Sequence, residues 1–457
     1  MAHKYRVQNP VNNEVLETFE TATDEQIQDI LSRSEKAFET WRQTSYEERA
    51  QIVSKAGQLL KERANELAEI AAKEMGKPVP EGAWEMEFSG DILQYYADHA
   101  AEHSADKKID VPGGSAVVRR LPLGTLLGIM PWNFPVYQIA RFAGPNLMNG
   151  NCIILKHADI TPKSAAAFEQ LLKDAGLPDG VYINVYATHD QIETIIAHPS
   201  VQGVSLTGSE RAGAKIAEIA GRNLKKVVLE LGGTDPYVIL DAADVKAAAQ
   251  EAWDKRISNA GQACTSNKRI IVLEDIYDQF VDEMVAIAEG YSKGDPSAPG
   301  AGEYFPMSSR HAAEGLHEQV QRAVAAGANL RTGGEIDETT AYFSPAVLTD
   351  VPVGSESYYE EFFGPVAEIY KVASEEEAVA LANDSQYGLG GAVFSDDTDR
   401  AVKVANQIET GMIHVNVGQA FSPALPFGGV KRSGFGRELS VFALDEFVNK
   451  QYLYVAD

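Results

Sequence analysis

The 457-residue sequence has two cysteines, Cys152 and Cys264, and only Cys264 has surroundings suited to chemistry. It stands in Asn259-Ala-Gly-Gln-Ala-Cys-Thr-Ser, among small and polar residues at the end of a helical segment. Gly261, three residues earlier, permits close approach by another chain segment or a ligand. A lone cysteine is more often an inert buried residue than a nucleophile. A nucleophilic thiol needs a group that takes its proton or activates water in a later step. Glu230 offers one: it follows the apolar run 227–229 and precedes Leu-Gly-Gly. Burial there would raise its pKa toward that of a general base. A strand-terminal glutamate facing solvent is the alternative, and spacing does not choose between them. Pro131-Trp-Asn-Phe-Pro135 is stiffened at both ends. It either presents the Asn133 amide as an oxyanion donor or is merely a rigid turn. In 204–213 a strand leads through Gly208-Ser209 into a helix, whose free N–H groups suit a phosphate. Ser209 serving only as a helix cap is the plainer reading, and no GxGxxG fingerprint accompanies it.

His99-Ala-Ala-Glu102-His103 fits the HxxEH zinc pattern, but it lies in a polar stretch without a third ligand and reads as a solvated helix end. No metal site is expected. The 66 acidic residues against 40 basic ones give a net charge of −26, which disfavours nucleic acid and anionic lipid as partners. Residues 121–140 carry no charge, yet Pro122, Pro131 and Pro135 argue against a membrane helix. With no apolar signal core at the N-terminus and no disulfide framework, a reduced, cytoplasmic protein is expected.

The elements that must position these residues follow from hydrophobic periodicity. Residues 24–103 read as mostly helical. Short apolar runs at 126–130, 152–155, 181–185, 201–206 and 227–229 then alternate with helical segments around 137–148, 165–175, 191–197 and 213–220. A second series gives helices at 245–258 and 276–291 and strands at 269–273, 346–348, 366–370, 392–394 and 412–415. Strand–helix alternation predicts parallel sheets with ligands at the carboxyl ends of the strands. The reading is an α/β chain with two parallel α/β domains plus a small β oligomerisation arm. Residues 1–111 and 126–230 form the first domain, 231–446 the second, and 112–125 with 447–457 the arm.

Taken in order, seven motifs resemble the NAD(P)-dependent aldehyde dehydrogenase superfamily. They are Pro-Trp-Asn-Phe-Pro at 131–135, Leu-Lys-His-Ala at 155–158, Leu-Thr-Gly-Ser at 206–209, Glu-Leu-Gly-Gly at 230–233, Gly-Gln-Ala-Cys at 261–264, Glu-Glu-Phe-Phe-Gly-Pro at 360–365 and Pro-Phe-Gly-Gly-Val-Lys-Arg-Ser-Gly-Phe-Gly-Arg-Glu at 426–438. The resemblance covers nearly the whole chain. It implies that Cys264 adds to the aldehyde, that Asn133 and the Cys264 N–H hold the oxyanion, and that Glu230 activates the water that hydrolyses the thioester. Glu438 matches a further carboxylate, a proton relay. Trp132, Asn133, Lys156, Asp159, Gly208, Ser209, Leu231, Glu361 and Phe363 would bind the cofactor.

Within the superfamily the chain resembles bacterial succinate-semialdehyde dehydrogenases. Arg141 lies two helical turns beyond Asn133, where it can hold an acid at the far end of a short substrate. Two departures from the family are Phe142, where many relatives carry lysine, and Ser258, where some carry a second arginine. Arg256 would point elsewhere on its helix, and Ser422 would supply a compensating hydrogen bond. Asp159 accepts from a ribose 2′-hydroxyl and repels a 2′-phosphate, which favours NAD while leaving NADP possible. Segments 115–121 and 451–455 would be edge strands paired across subunits, giving a homodimer or homotetramer. Other short or aromatic aldehydes, and a non-redox cysteine acyltransferase or esterase, are the competing readings.

Overall fold

In the computed structural model, which describes residues 5–457, the short apolar runs become strands of two separate sheets, those at 181–185 and 412–415 at sheet edges. The first has six strands in the order Gly434–Phe435, Lys226–Glu230, Val201–Thr207, Thr125–Met130, Cys152–His157 and Tyr182–Asn184. All pair in parallel except Gly434–Phe435, which runs antiparallel to Lys226–Glu230. Every residue of Cys152–His157 is buried, as a strand covered on both faces requires. The second sheet has seven strands: Asn329–Thr332, Ala346–Thr349, Val366–Val372, Arg269–Leu273, Pro236–Ile239, Ala392–Phe394 and His414–Val415. It is parallel apart from the pair at its Asn329–Thr332 edge.

Four helices precede the first sheet: Asp24–Trp41, Tyr46–Glu62, Ala64–Met75 and Val79–His103. Thr23 with Gln26 and Ser45 with Glu48 close reciprocal capping boxes on the first two. Their apolar faces place Leu60, Ile92, Leu93 and Tyr96 in one core with Leu126, Phe142 and Ile153. The uncharged stretch 121–140 divides into the strand Thr125–Met130, a loop and the start of the helix Tyr137–Asn149. Among the described residues no helix is long and apolar enough to cross a membrane.

Three expectations are corrected. Segments 115–121 and 451–455 are not lone edge strands; they pair with each other, because the chain end returns alongside the arm from Val448↔Pro122 to Ala456↔Gly114. The motif at 99–103 does form an exposed helix end, but the polar residues after it supply a third strand, Lys107–Val111, so Gly114–Pro122 is central and the arm starts at Lys107 rather than 112. Exposed lysines on that edge discourage further pairing. Finally, 231–446 does not stay together. Phe427, Leu439, Ala443 and Leu444 pack into the first core, and Gly434–Phe435 joins the first sheet.

The helix Tyr137–Asn149 begins without a capping side chain of its own. Glu85 supplies one from the helix Val79–His103: its Oε1 accepts from the backbone N–H groups of Val136 at 2.8 Å and Tyr137 at 3.0 Å. Its other oxygen pairs with Lys77, and both side chains are fully buried. Lys77 Nζ also lies 3.7 Å from the centre of the Phe134 ring. Glu85→Ala therefore uncaps the helix and strands a buried ammonium. A loss of about 3–5 kcal/mol is expected in denaturant unfolding; a change within about 0.5 kcal/mol, as at a surface site, contradicts this role.

Candidate active site

After the helix Val245–Ile257, three consecutive residues adopt left-handed backbone: Asn259 (φ 51°), Ala260 (φ 53°) and Gly261 (φ 72°). Two non-glycine residues in that region carry strain that the surroundings must hold. A Cβ on Gly261 would lie 2.3 Å from the Gly364 carbonyl oxygen, so the close approach left open by the sequence is made by the 360–365 segment. Buried Arg256 secures the turn. Its Nε donates to the Val366 carbonyl at 2.6 Å, Nη2 to Phe362 O at 2.8 Å, and Nη1 to Gly261 O at 3.2 Å and Ser266 Oγ at 2.8 Å. Arg256 thus points away from the substrate side, as expected. Lys268, which sequence reasoning missed, donates to the carbonyls of Ala263 (2.8 Å) and Cys264 (2.9 Å) and pairs with Glu361 at 2.7 Å. Its only sequence signal is a charge at the threshold of the apolar strand Arg269–Leu273.

Held this way, Cys264 stands in the walls of two cavities. One, of about 270 Å³, is lined among others by Trp132, Asn133, Gly208, Ser209, Leu231, Glu361 and Phe363. Trp132 and Phe363 meet edge to face at 5.8 Å. Bare backbone at Gly232 lets Glu361 close in, since a Cβ there would lie 2.5 Å from Glu361 Oε2. Thr207 also lines this cavity, and its buried Oγ1 has no hydrogen-bond partner. Ser209 caps the helix Glu210–Arg222, accepting from Ala212 N at 3.3 Å, which leaves the first-turn N–H groups as an anion site. Aromatic walls, a carboxylate for ribose hydroxyls and a helix start for phosphate fit a dinucleotide. Lys156 and Asp159 lie outside this lining. Burial pulls the Lys156 ammonium down while Asp159 supports its charge, and Lys156 Nζ lies 5.5 Å from the centre of the Tyr5 ring.

The other cavity, of about 480 Å³, is lined in part by Trp84, Tyr137, Arg141, Lys255, Ser258, Cys264, Phe421 and Phe427. Ser258 is engaged, its Oγ donating to Glu81 at 3.0 Å. Ser422 lies in the wall of an adjoining hollow and accepts from Ala424 N at 3.2 Å. Arg141 is not wholly free for substrate. Its Nε forms an ion pair with Glu438 at 2.7 Å, and its guanidinium lies 4.0 Å from the Phe427 ring and 4.6 Å from that of Tyr137. Nη2 is buried without a partner.

Glu230 is buried, not solvent-facing, and neither carboxylate oxygen has a hydrogen-bond partner. Burial, then the charge of Glu438, pushes its pKa well above the ordinary range, while Arg141 opposes both. Glu438 is likewise raised by burial and restrained by Arg141, and its Oε1 accepts from Ser205 Oγ at 3.3 Å. Asn133 is buried, its amide donating to the Gln262 carbonyl at 3.0 Å. Burial pushes the Cys264 thiol up to about 11, against the pull of Arg141 and Lys268. His103 sits in the last turn of its helix and His99 one turn earlier, with no group of three metal-ligating side chains among the described residues.

The resting thiol is therefore protonated at neutral pH. Alkylation of Cys264 by iodoacetamide should accelerate about tenfold per pH unit from 7 to 10 without levelling. A plateau near pH 8 contradicts this. Cys152, fully buried and pushed up to about 12, does not compete.

Comparison with known proteins agrees with this geometry. Residues 1–453 match the aldehyde dehydrogenase family. A Deinococcus radiodurans protein named succinate-semialdehyde dehydrogenase (NADP(+)) is 48% identical over 97% of this chain and 93% of its own. The crystal structure of succinic semialdehyde dehydrogenase from Streptococcus pyogenes in complex with NADP+ superposes with a TM-score of 0.96, at 43% identity over 99% of this chain and 100% of that one. Betaine aldehyde dehydrogenase from Staphylococcus aureus, solved with NAD+, gives 0.95 at 29% identity, covering 99% and 91%. On motifs, fold and site together, the chain belongs to the aldehyde dehydrogenase family.

Proposed function

We propose that the protein oxidises succinate semialdehyde to succinate through a thioester on Cys264, using NAD or NADP. The single observation that carries the reading is Cys264 standing in both cavities, one fitted to a dinucleotide and one whose largely aromatic wall includes Arg141 and Lys255. The Cys264 thiolate adds to the aldehyde carbon. Asn133 exchanges its bond to the Gln262 carbonyl for the oxyanion, with the Cys264 N–H as second donor. Bound in the first cavity, the nicotinamide supplies the hydride acceptor. Glu230, as carboxylate, takes a proton from the water that hydrolyses the thioester, and its raised pKa suits that task. Arg141 acts on both Glu230 and Glu438, with Glu438 relaying the proton. A non-redox acyltransferase would have no use for the first cavity.

In this reading residues up to 230 supply most of the cofactor side and 231–446 the thiol. The relatives' names carry NADP(+); Asp159, near the ribose 2′ position in this family, tilts the present chain toward NAD. The protein works in the cytoplasm, where both thiols stay reduced, and as a homodimer or homotetramer. Exposed Tyr452, Leu453, Tyr454 and Val455 on the outer arm strand support that assembly; a monomer in light scattering would exclude it.

Initial rates with succinate semialdehyde and propanal, each against NAD and NADP, test the reading. A higher kcat/KM for the acid aldehyde, and for NAD over NADP, is expected. Equal rates with propanal remove the acid substrate. An NADP preference that Asp159→Ser leaves unchanged removes the role of Asp159.

A further inference from the structure

Four cations surround the catalytic loop; two have their donors taken up by backbone carbonyls or a carboxylate, and a third, Arg141, is paired through Nε while its Nη2 has no partner. Arg256 spends its donors on the carbonyls of Val366, Phe362 and Gly261 and on Ser266 Oγ. Lys268 pairs with Glu361, and Arg141 with Glu438. Lys255 differs. It lies near the end of the helix Val245–Ile257, half-buried, in the wall of the cavity that holds Cys264. Among the described residues no carboxylate forms an ion pair with it; its one hydrogen bond goes to the neutral Gln419 Oε1. That same oxygen accepts from Thr265 Oγ1 at 3.0 Å, which fixes Gln419 to the residue next to the nucleophile. Lys255 Nζ also lies 5.8 Å from the centre of the Phe421 ring, another part of the cavity wall. Two of its three N–H bonds are left for a ligand.

We propose that Lys255 is a specificity-determining residue of this enzyme, binding the far carboxylate of the substrate from the wall of the cavity that Cys264 and Arg141 also line. The inference rests on the acid-aldehyde reading and adds to it the group that recognises the acid. An unpaired ammonium in a confined site is costly, and an incoming carboxylate removes the cost while a neutral aldehyde does not. Burial pulls the Lys255 ammonium down to about 8, with Asp235 and Cys264 only partly restoring it, as fits a cation whose main counter-charge arrives with the ligand. Ser258, one turn further on, has its hydroxyl committed to Glu81 and cannot substitute. The side chain acts on binding, with no part in bond making.

Steady-state kinetics of the purified full-length protein with succinate semialdehyde and with butanal, for wild type, Lys255→Met and Lys255→Arg, test the proposal. Lys255→Met should raise KM for the acid aldehyde about 10–100-fold, the worth of a hydrogen-bonded charge, and change that for butanal far less. Lys255→Arg, which keeps the charge, should recover most of the loss. Inhibition of butanal oxidation by succinate should weaken in Lys255→Met in the same proportion. Butanal turnover reports that the variant folds; if Lys255→Met is inactive with both aldehydes, the inhibition and KM of Lys255→Arg decide. Equal KM changes for both aldehydes, or none for either, overturn the role of Lys255. A wild type that does not prefer the acid aldehyde overturns the substrate reading itself.

Discussion

The rest of the site depends on how the backbone carbonyls of one short loop are held. Asn259, Ala260 and Gly261 adopt left-handed conformations; Glu81 and the Asn133 carbonyl hold Asn259, and two buried cations fasten the rest of the loop. Arg256 ties Gly261 and Ser266 to the carbonyls of Phe362 and Val366. Lys268 ties the carbonyls of Ala263 and Cys264 to the Glu361 carboxylate. A carbonyl-to-cation bond inside a protein is charge-assisted, stronger than a neutral one and demanding in geometry. The thiol is thereby fixed where two cavities meet, instead of lining only one.

That arrangement links the two halves of the reaction through shared residues. Glu361 lines the smaller cavity and is also the partner of Lys268, so a wall of that cavity is attached to the loop that carries Cys264. On the other side Arg141 lines the larger cavity and opposes, without cancelling, the burial that raises the pKa of both Glu230 and Glu438. The helix that carries Arg141 is itself anchored by Glu85. Arg256 and Lys268 thus serve the loop alone, whereas Arg141 and Glu361 each belong both to the framework and to a cavity wall.

Much of this was legible in the sequence. Apolar runs separated by helical periods gave the parallel sheets, because strands buried on both faces must be apolar along their length. Glu230 stood out as a carboxylate where an apolar side chain is the rule, Cys264 by its small and polar neighbours and Asn133 by its flanking prolines; the structure buries Glu230 and sets Cys264 and Asn133 in one cavity wall. What escaped was long-range pairing. Nothing local marks Glu85 as the cap of a helix 51 residues later, or Lys268 as the partner of Glu361. The arm was misread for the same reason: strand partners 332 residues apart, such as Arg119 and Gln451, carry no signal of whether they meet within one chain or between two. Arg141 does line a cavity together with Cys264, but its pairing with Glu438 depends on residues 427–447 returning to the first core.

The central claim is a covalent acyl-enzyme on Cys264 that Glu230 helps to release. Glu230→Gln, incubated with succinate semialdehyde and oxidised cofactor and then digested for mass spectrometry, tests it most directly. The account predicts one equivalent of reduced nicotinamide per active site, followed by near arrest, with a succinyl group on the peptide containing Cys264. Sustained turnover at the wild-type rate, or reduced nicotinamide without acylation of that peptide, would contradict it.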